Sequence, residues 1–498
     1  MSVDKTSWNH LPAEIRIEIL GIVPALGGRF SLLARVARDW HSIVEPLNFA
    51  EISLTAPRVA AFGSLAILYQ KRSLIRYIWF RVELKQYDCR LCSDHDADGW
   101  GLELIDNQII VDAFENLFTT LSAWEPRGDL VLDISVYSPS DNQHWFKHLS
   151  FCSDSNLGVW SSRRGHEQGT TLINDRAHGW VAGQQVIAPC GLAIERLFDE
   201  IMGEGPFGAQ VPEMEWWRSL PELPVVGAVL LRQQTRRQWK PDALANMLTR
   251  FPNMKELCYE PWRQWDDEKK TQTDECNQTL IESLAQMKLC KLTIFENFNE
   301  SYFERYFESD GIRVPNRAVS RKLARASLRL ATLSASFMVD AGYFFAAHRD
   351  SWTWDKLTSL ALTSRILAND AGTAWSINIM LQKAAAVALK MPRLVTMELW
   401  NGRRGVAMLF RYHRARDGQS ATITVRGTWV LALRTATTQA WDAVADRHRH
   451  GSVVVQTSLI DPDVIRCHGD AIQQLGLSTE VTRPISLRQI LKEHEFEQ

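Results

Sequence analysis

No stretch of this sequence is apolar for long enough to cross a bilayer. Its most apolar runs, residues 225–231 and 384–389, fall far short of the roughly 20 residues a spanning helix needs. The opening MSVDKTSWNH has no apolar core, so a secretory signal is not expected. Charge is not in excess of either sign: Lys+Arg number 56 and Asp+Glu 58, for a formal net charge of −2. No basic face is concentrated enough to be rewarded by counterion release, so nucleic acid is not an expected partner. The 8 cysteines are scattered, and only Cys89 and Cys92 lie close together. That usage fits reduced thiols and a cytoplasmic or nuclear location.

Familiar chemical motifs are missing too. The chain has no phosphate-cradling Gly-rich loop, no nucleophile elbow and no paired-histidine helix. Cys89-x-x-Cys92 with His95 falls short of the four ligands a structural zinc normally takes, and no second cysteine pair lies at suitable spacing, so packed thiols are the simpler reading. Asp94, Asp96, Asp98 and Gly99 imitate the start of a calcium loop, yet the place of the required bidentate Glu is held by Ile105. No metal, cofactor or catalytic group is therefore expected. An enzyme would need dispersed groups such as Glu398, His413 and Asp442 to converge in space.

What remains is an ordinary globular composition, 45% hydrophobic and 23% charged, with an unusual 19 tryptophans that call for large amphipathic surfaces. Near the start, Pro12 suits a first helical position, where its missing N–H leaves no bond unmade. Glu14 follows in the first turn, where its charge favours the helix dipole. Leu11, Ile15 and Ile19 are four apart and share one stripe, with Leu20 and Ile22 beside it. Gly27-Gly28 breaks the chain, and a second helix is predicted over 31–44, its apolar face carrying Leu33, Val36, Trp40, Ile43 and Val44. Two helices this short cannot enclose a core, so they must bury their apolar faces against something else.

The series Leu11-Pro12-x-Glu14-Ile15, then Ile19-Leu20, then Val36-x-x-x-Trp40, resembles the F-box, the module by which substrate receptors dock onto the Skp1 adaptor of cullin–RING ubiquitin ligases. The resemblance covers residues 1–50. It implies that Leu11, Pro12, Ile15, Ile19, Leu20, Val36 and Trp40 face a Skp1-like adaptor or support that face. The loop at 23–29 departs from the pattern, lacking its usual Leu-x-x-x-Asp-Leu run. Other phrases, such as Tyr87-Asp88-Cys89-Arg90-Leu91-Cys92 and Glu398-Leu399-Trp400-Asn401-Gly402, look like those of filamentous-fungal F-box proteins, whose C-terminal regions are mostly of unassigned function.

Behind this module, at 51–405, an apolar-x-x-apolar-x-apolar pattern recurs after helix-like stretches. It occurs as Met254/Leu257/Tyr259, Leu289/Leu292/Ile294, Leu328/Ala331/Leu333, Leu357/Leu360/Leu362 and Leu394/Met397/Leu399. Helices are predicted over 243–250, 279–287 and 377–390, and an earlier strand over 130–136 after a helix at 109–124. Units of this kind, irregularly repeated every 30 to 40 residues or so, stack into a parallel sheet with helices outside, as in leucine-rich-repeat receptors. The Ser-, Gly- and His-rich segment 152–188 reads as an exposed insertion.

Residues 406–498 leave the repeat. They read as a hairpin at 407–413 and 421–426, a helix at 428–448, a strand at 453–457 and terminal helices at 463–475 and 487–495, together a C-terminal α/β cap on the open end of the sheet. The expected class is thus α/β: a short helical F-box-like module, irregular leucine-rich-repeat-like units, and a cap. The expected function is non-enzymatic, a substrate receptor in an SCF-type (Skp1–cullin–F-box) E3 ubiquitin ligase holding an unknown target protein. A non-catalytic scaffold outside any ligase is the alternative.

Overall fold

The computed structural model describes residues 8–22, 38–61, 66–88, 102, 104–154, 173–202, 205–208, 210–264, 267–304, 314–369, 372–414, 419–448 and 451–495. In chain order the strands are β1 (Glu51–Thr55), β2 (Tyr77–Glu83), β3 (Leu130–Tyr137), β4 (Trp180–Val181), β5 (Gln184–Gln185), β6 (Glu200–Ile201), β7 (Val226–Leu231) and β8 (Gln238–Trp239). They continue with β9 (Glu256–Tyr259), β10 (Lys291–Phe295), β11 (Thr332–Ser336), β12 (Ser359–Thr363), β13 (Thr396–Arg403), β14 (Val406–His413), β15 (Thr422–Gly427) and β16 (Val454–Leu459). Twelve of them form one sheet in the order β1-β2-β3-β7-β9-β10-β11-β12-β13-β14-β15-β16. Pairing is parallel from β1 to β13, antiparallel on both sides of β14, and parallel again between β15 and β16. The chain is therefore mixed α/β, built on a large, mostly parallel sheet.

One register runs through the parallel part. Leu257 sits beside Leu292, Leu292 beside Leu333, Leu333 beside Leu360, and Leu360 beside Met397. In four of the five units the first apolar residue closes the turn into its strand by donating its N–H to the carbonyl three residues earlier: Met254 to Phe251, Leu330 to Ser327, Leu357 to Trp354, Leu394 to Met391. This register corrects one unit of the repeat. The copy in β11 is Leu330/Leu333/Ala335, not Leu328/Ala331/Leu333, because residues Ser327–Arg329 form a 3-10 turn that delays the strand by two positions. It also adds two copies, Ile75/Ile78/Phe80 and Val226/Val229/Leu231, each with the same turn bond.

Because side chains alternate along a strand, the sheet has two unlike faces. On one, Leu257, Leu292, Leu333, Leu360, Met397, Phe410 and Ile423 join the main core. A row of neighbouring helices covers it: Pro241–Leu248, Asp267–Gln286, Arg317–Ala326, Ala341–Ala346, Thr373–Ala388 and Thr435–Arg447. The other face carries Asp133, Ser135, Cys258, Thr293, Ser334, Ser336 and Glu398, all buried.

The chain beyond β13 extends the sheet and then turns back across its polar face. The hairpin is β14–β15 as expected, while the following helix starts only at Thr435. Helix His468–Leu475 packs on β13 and β14, and helix Pro484–Glu495 lies against the turn Gln233–Thr235 that follows β7. The stretch expected to close the open end of the sheet thus leaves β16 as an edge strand. Within the segment read as an exposed insertion, 155–172 lie outside the described residues, while Cys152, Asp154 and Trp180 are buried. Cys89, Cys92 and the acidic turn at 94–99 also lie outside the described residues.

Candidate functional site

Helix Ala13–Ile22 begins as its sequence dictates, with the N–H of Arg16 bonded to the carbonyl of Pro12. Among its described residues only Leu20 is buried. Leu20 is fully buried, while Ile15, Ile19 and Ile22 are 41%, 39% and 54% exposed. Three or four residues separate these isoleucines, so they form one apolar stripe facing outward. Ile17 is exposed on another side of the helix, and Leu11 is half-buried.

Helix Arg38–Ala50 supports the first helix from behind. The Trp8 and Trp40 rings meet at a centroid distance of 4.8 Å, Val44 is fully buried, and Glu45 accepts an ion pair from Lys71 at 2.8 Å. The helix then runs directly into β1, which fixes the module to the first strand of the sheet. Of the seven residues assigned to adaptor docking, Ile15 and Ile19 lie on the open stripe, Leu11 continues it, and Pro12 is exposed at the helix start. Leu20 faces inward, Trp40 packs on Trp8, and Val36 lies outside the described residues. Ile22 completes the stripe and was read only as a neighbour of it.

Polar groups converge elsewhere, on the polar face of the sheet, where they fasten the C-terminal segment. Glu398 of β13 accepts hydrogen bonds from the backbone of Ser478 (2.8 Å) and Thr479 (2.9 Å) and from Arg411 Nε (2.7 Å). Farther along, Glu260 accepts from Thr482 Oγ1 (2.8 Å), the Arg483 backbone (2.7 Å) and Ser486 Oγ (2.5 Å). Arg483 Nε reaches Asp154 at 2.9 Å, and Arg232 grips Asp133 through Nε (3.1 Å) and Nη2 (2.6 Å). At the far end Arg236 pairs with Glu493 and lies over the Trp262 ring, 4.1 Å from its centroid. Burial alone would raise the Glu493 carboxyl, but Arg236, His148, His494 and the Tyr302 hydroxyl outweigh it and hold it down at about 2.

His468 shares this layer. Its Nε2 lies 2.8 Å from Asn297 Oδ1, and its ring stacks on Phe298 at 4.4 Å. Burial first, and then the neighbouring His494, push its pKa down from 6.5 to about 3, so the ring is neutral. The named pairs tie distant parts of the chain together, although Asp154 Oδ1, Arg232 Nη1 and Arg236 Nε have no hydrogen-bond partner among the described residues, and the arrangement is that of a fastening.

The dispersed trio of the enzyme reading does not converge. Glu398 is taken up by Arg411 and by Ser478 and Thr479 of the C-terminal strap, the segment 476–495 that crosses the polar face, His413 Nδ1 pairs with Thr396 Oγ1 at 3.0 Å, and Asp442 accepts from the Val453 backbone at 2.8 Å from a helix on the opposite face. Among the described residues no group of three or more metal-type side chains is gathered, and no helix is long and apolar enough to cross a membrane. The fastening residues escaped the sequence reading because their partners lie far away in the chain: Glu260 and Ser486 are 226 positions apart.

Residues 283–483 match a family described as a family of unknown function (DUF6546), a stretch that runs from the last turn of helix Asp267–Gln286 to Arg483 and includes β16. No curated protein matches the chain. Over that stretch the chain is similar to a family whose own description assigns no activity.

Proposed function

We propose that this chain is the substrate-recognition subunit of an SCF-type E3 ubiquitin ligase, docking a Skp1-like adaptor through its N-terminal helices and a target protein through its α/β body. The observation that carries the reading is the outward stripe of Ile15, Ile19 and Ile22 on a helix anchored from behind by Leu20. Aligned isoleucines left in water on a supported helix are what a partner helix or groove covers. Both faces of the sheet in the body behind it are covered by the chain itself, so in this reading a target is met by its helices and loops. In this reading the protein supplies proximity while the ligase supplies the chemistry.

Co-expression of the full chain with a Skp1-like adaptor and a cullin tests it. A stable ternary complex on size exclusion is expected, and absence of any adaptor from the purified chain contradicts it. A scaffold role outside any ligase is the second reading, favoured by the way helix Arg38–Ala50 packs on β1 and so contributes to the sheet's own edge.

A further inference from the structure

Strand β16 ends the twelve-stranded sheet, and nothing among the described residues pairs with its outer side. All six of its residues are exposed, with Val454, Val455 and Leu459 at 48%, 40% and 65%. An open edge normally carries a charge, a proline or a bulge that stops another strand from adding to it. Val454-Val455-Gln456-Thr457-Ser458-Leu459 carries no charge and no proline. The ladder to β15 is regular, without a register shift.

The direction of its bonds is fixed by β15. The N–H of Val454 donates to Ala421 and that of Ile460 to Gly427. In a parallel ladder the groups of alternate residues point to the same side. Val455, Thr457 and Leu459 therefore direct their backbone N–H and C=O groups outward, a row ready to bond a further strand.

The flanks of the strand say which strand fits. The chain reaches β16 from Arg447 and His448 at the end of helix Thr435–Arg447 and leaves it through Asp461 and Asp463. Arg447, Asp461 and Asp463 are exposed. An antiparallel neighbour of the same sequence, related by a two-fold axis near Gln456, brings the basic approach of one strand alongside the acidic exit of the other, twice. A two-fold interface is self-complementary and closes on itself.

We propose that β16 is a homodimerisation edge, in which two copies of this chain join their sheets by antiparallel pairing of Val454–Leu459. The two sheets become one continuous sheet across the axis. The N-terminal stripe stands at the other end of the strand order, next to β1, so pairing at β16 leaves it uncovered. The dimer presents two such stripes.

Light scattering during size exclusion of the full chain, loaded over a tenfold range of concentration, reads the mass directly. A mass of about twice the 56.8 kDa chain is expected. Thr457→Pro removes one outward N–H from an edge strand, where proline is tolerated, and is expected to run as a monomer with an unchanged circular dichroism spectrum. Should that variant fail to fold, Val455→Lys places a charge on the same edge and gives the same reading. Arg447→Glu and Asp463→Lys are each expected to weaken the dimer at least tenfold, and the double variant to restore it. A wild-type monomer at every concentration overturns the proposal, as does a mass that climbs past the dimer or a folded Thr457→Pro that stays dimeric. Failure of the charge-swapped double variant to recover overturns the antiparallel arrangement.

Discussion

Arg236 and Glu493 stand 257 positions apart in the chain and meet in an ion pair whose side chains are 0% and 2% exposed. Neither charge has water to fall back on, so each is tolerable only while the other is present. Glu493→Leu leaves the guanidinium buried without its counter-charge, a change expected to cost about 3–5 kcal/mol. Urea unfolding followed by tryptophan fluorescence measures it. A loss below about 1 kcal/mol would mean that the terminal helix is not fastened where the pair places it.

A second consequence concerns acid. The folded pKa of His468 is depressed, so the stability it contributes is full above about 6.5 and is lost as pH falls toward about 3, because the unfolded chain takes up a proton that the buried ring refuses. The melting temperature of the wild type should therefore fall more steeply between pH 6.5 and 5 than that of His468→Gln. Equal slopes for the two proteins would show that the ring titrates freely.

Glu213 behaves in the opposite sense. Burial raises its carboxyl to about 7, only partly offset by the hydrogen bond from Trp217 Nε1 at 3.0 Å. Its contribution is present below the usual 4.5 and is lost as pH rises through about 7. Glu213→Gln keeps an acceptor for Trp217 and removes the charge. It should stabilise the protein at pH 8 by on the order of 1 kcal/mol, with the gain shrinking toward pH 5. A variant less stable than wild type at pH 8 would contradict this.

How much of this was legible beforehand depends on the range of each interaction. The repeat was readable at Leu257, Leu292, Leu360 and Met397 because the alternation of a half-polar strand is written locally. It slipped by two at β11, where Ala331 and Leu333 imitate the pattern and only the turn at Ser327–Arg329 sets the true start. The helix opening at Pro12 and the stripe through Ile15 and Ile19 were also local, and so was the β14–β15 hairpin. The strap was not. Glu260, Asp154 and Gln233 each bind chain more than two hundred positions away, and no periodicity announces such a pair. The course of the terminal helices was missed for the same reason, since their amphipathic faces fit an end cap as well as a polar sheet face.

The two kinds of apolar residue should separate cleanly in stability measurements. Leu360 fills the repeat core with no exposure, and Leu360→Ala is expected to cost about 2–5 kcal/mol. Ile15 and Ile19 are 41% and 39% exposed and so have less buried area to lose, and alanine at either is expected to cost less, about 1 kcal/mol or under. A large loss at Ile15 would mean that the stripe belongs to the protein's own core.

The most direct test is a calorimetric titration of a purified Skp1-like adaptor into the full chain and into the Ile15→Asp/Ile19→Asp variant. Binding by the wild type, and binding weakened roughly a hundredfold or lost in a variant that melts at the same temperature, is the predicted result. Equal affinity for both proteins, or no heat with the wild type, would contradict the assignment of that face to the adaptor.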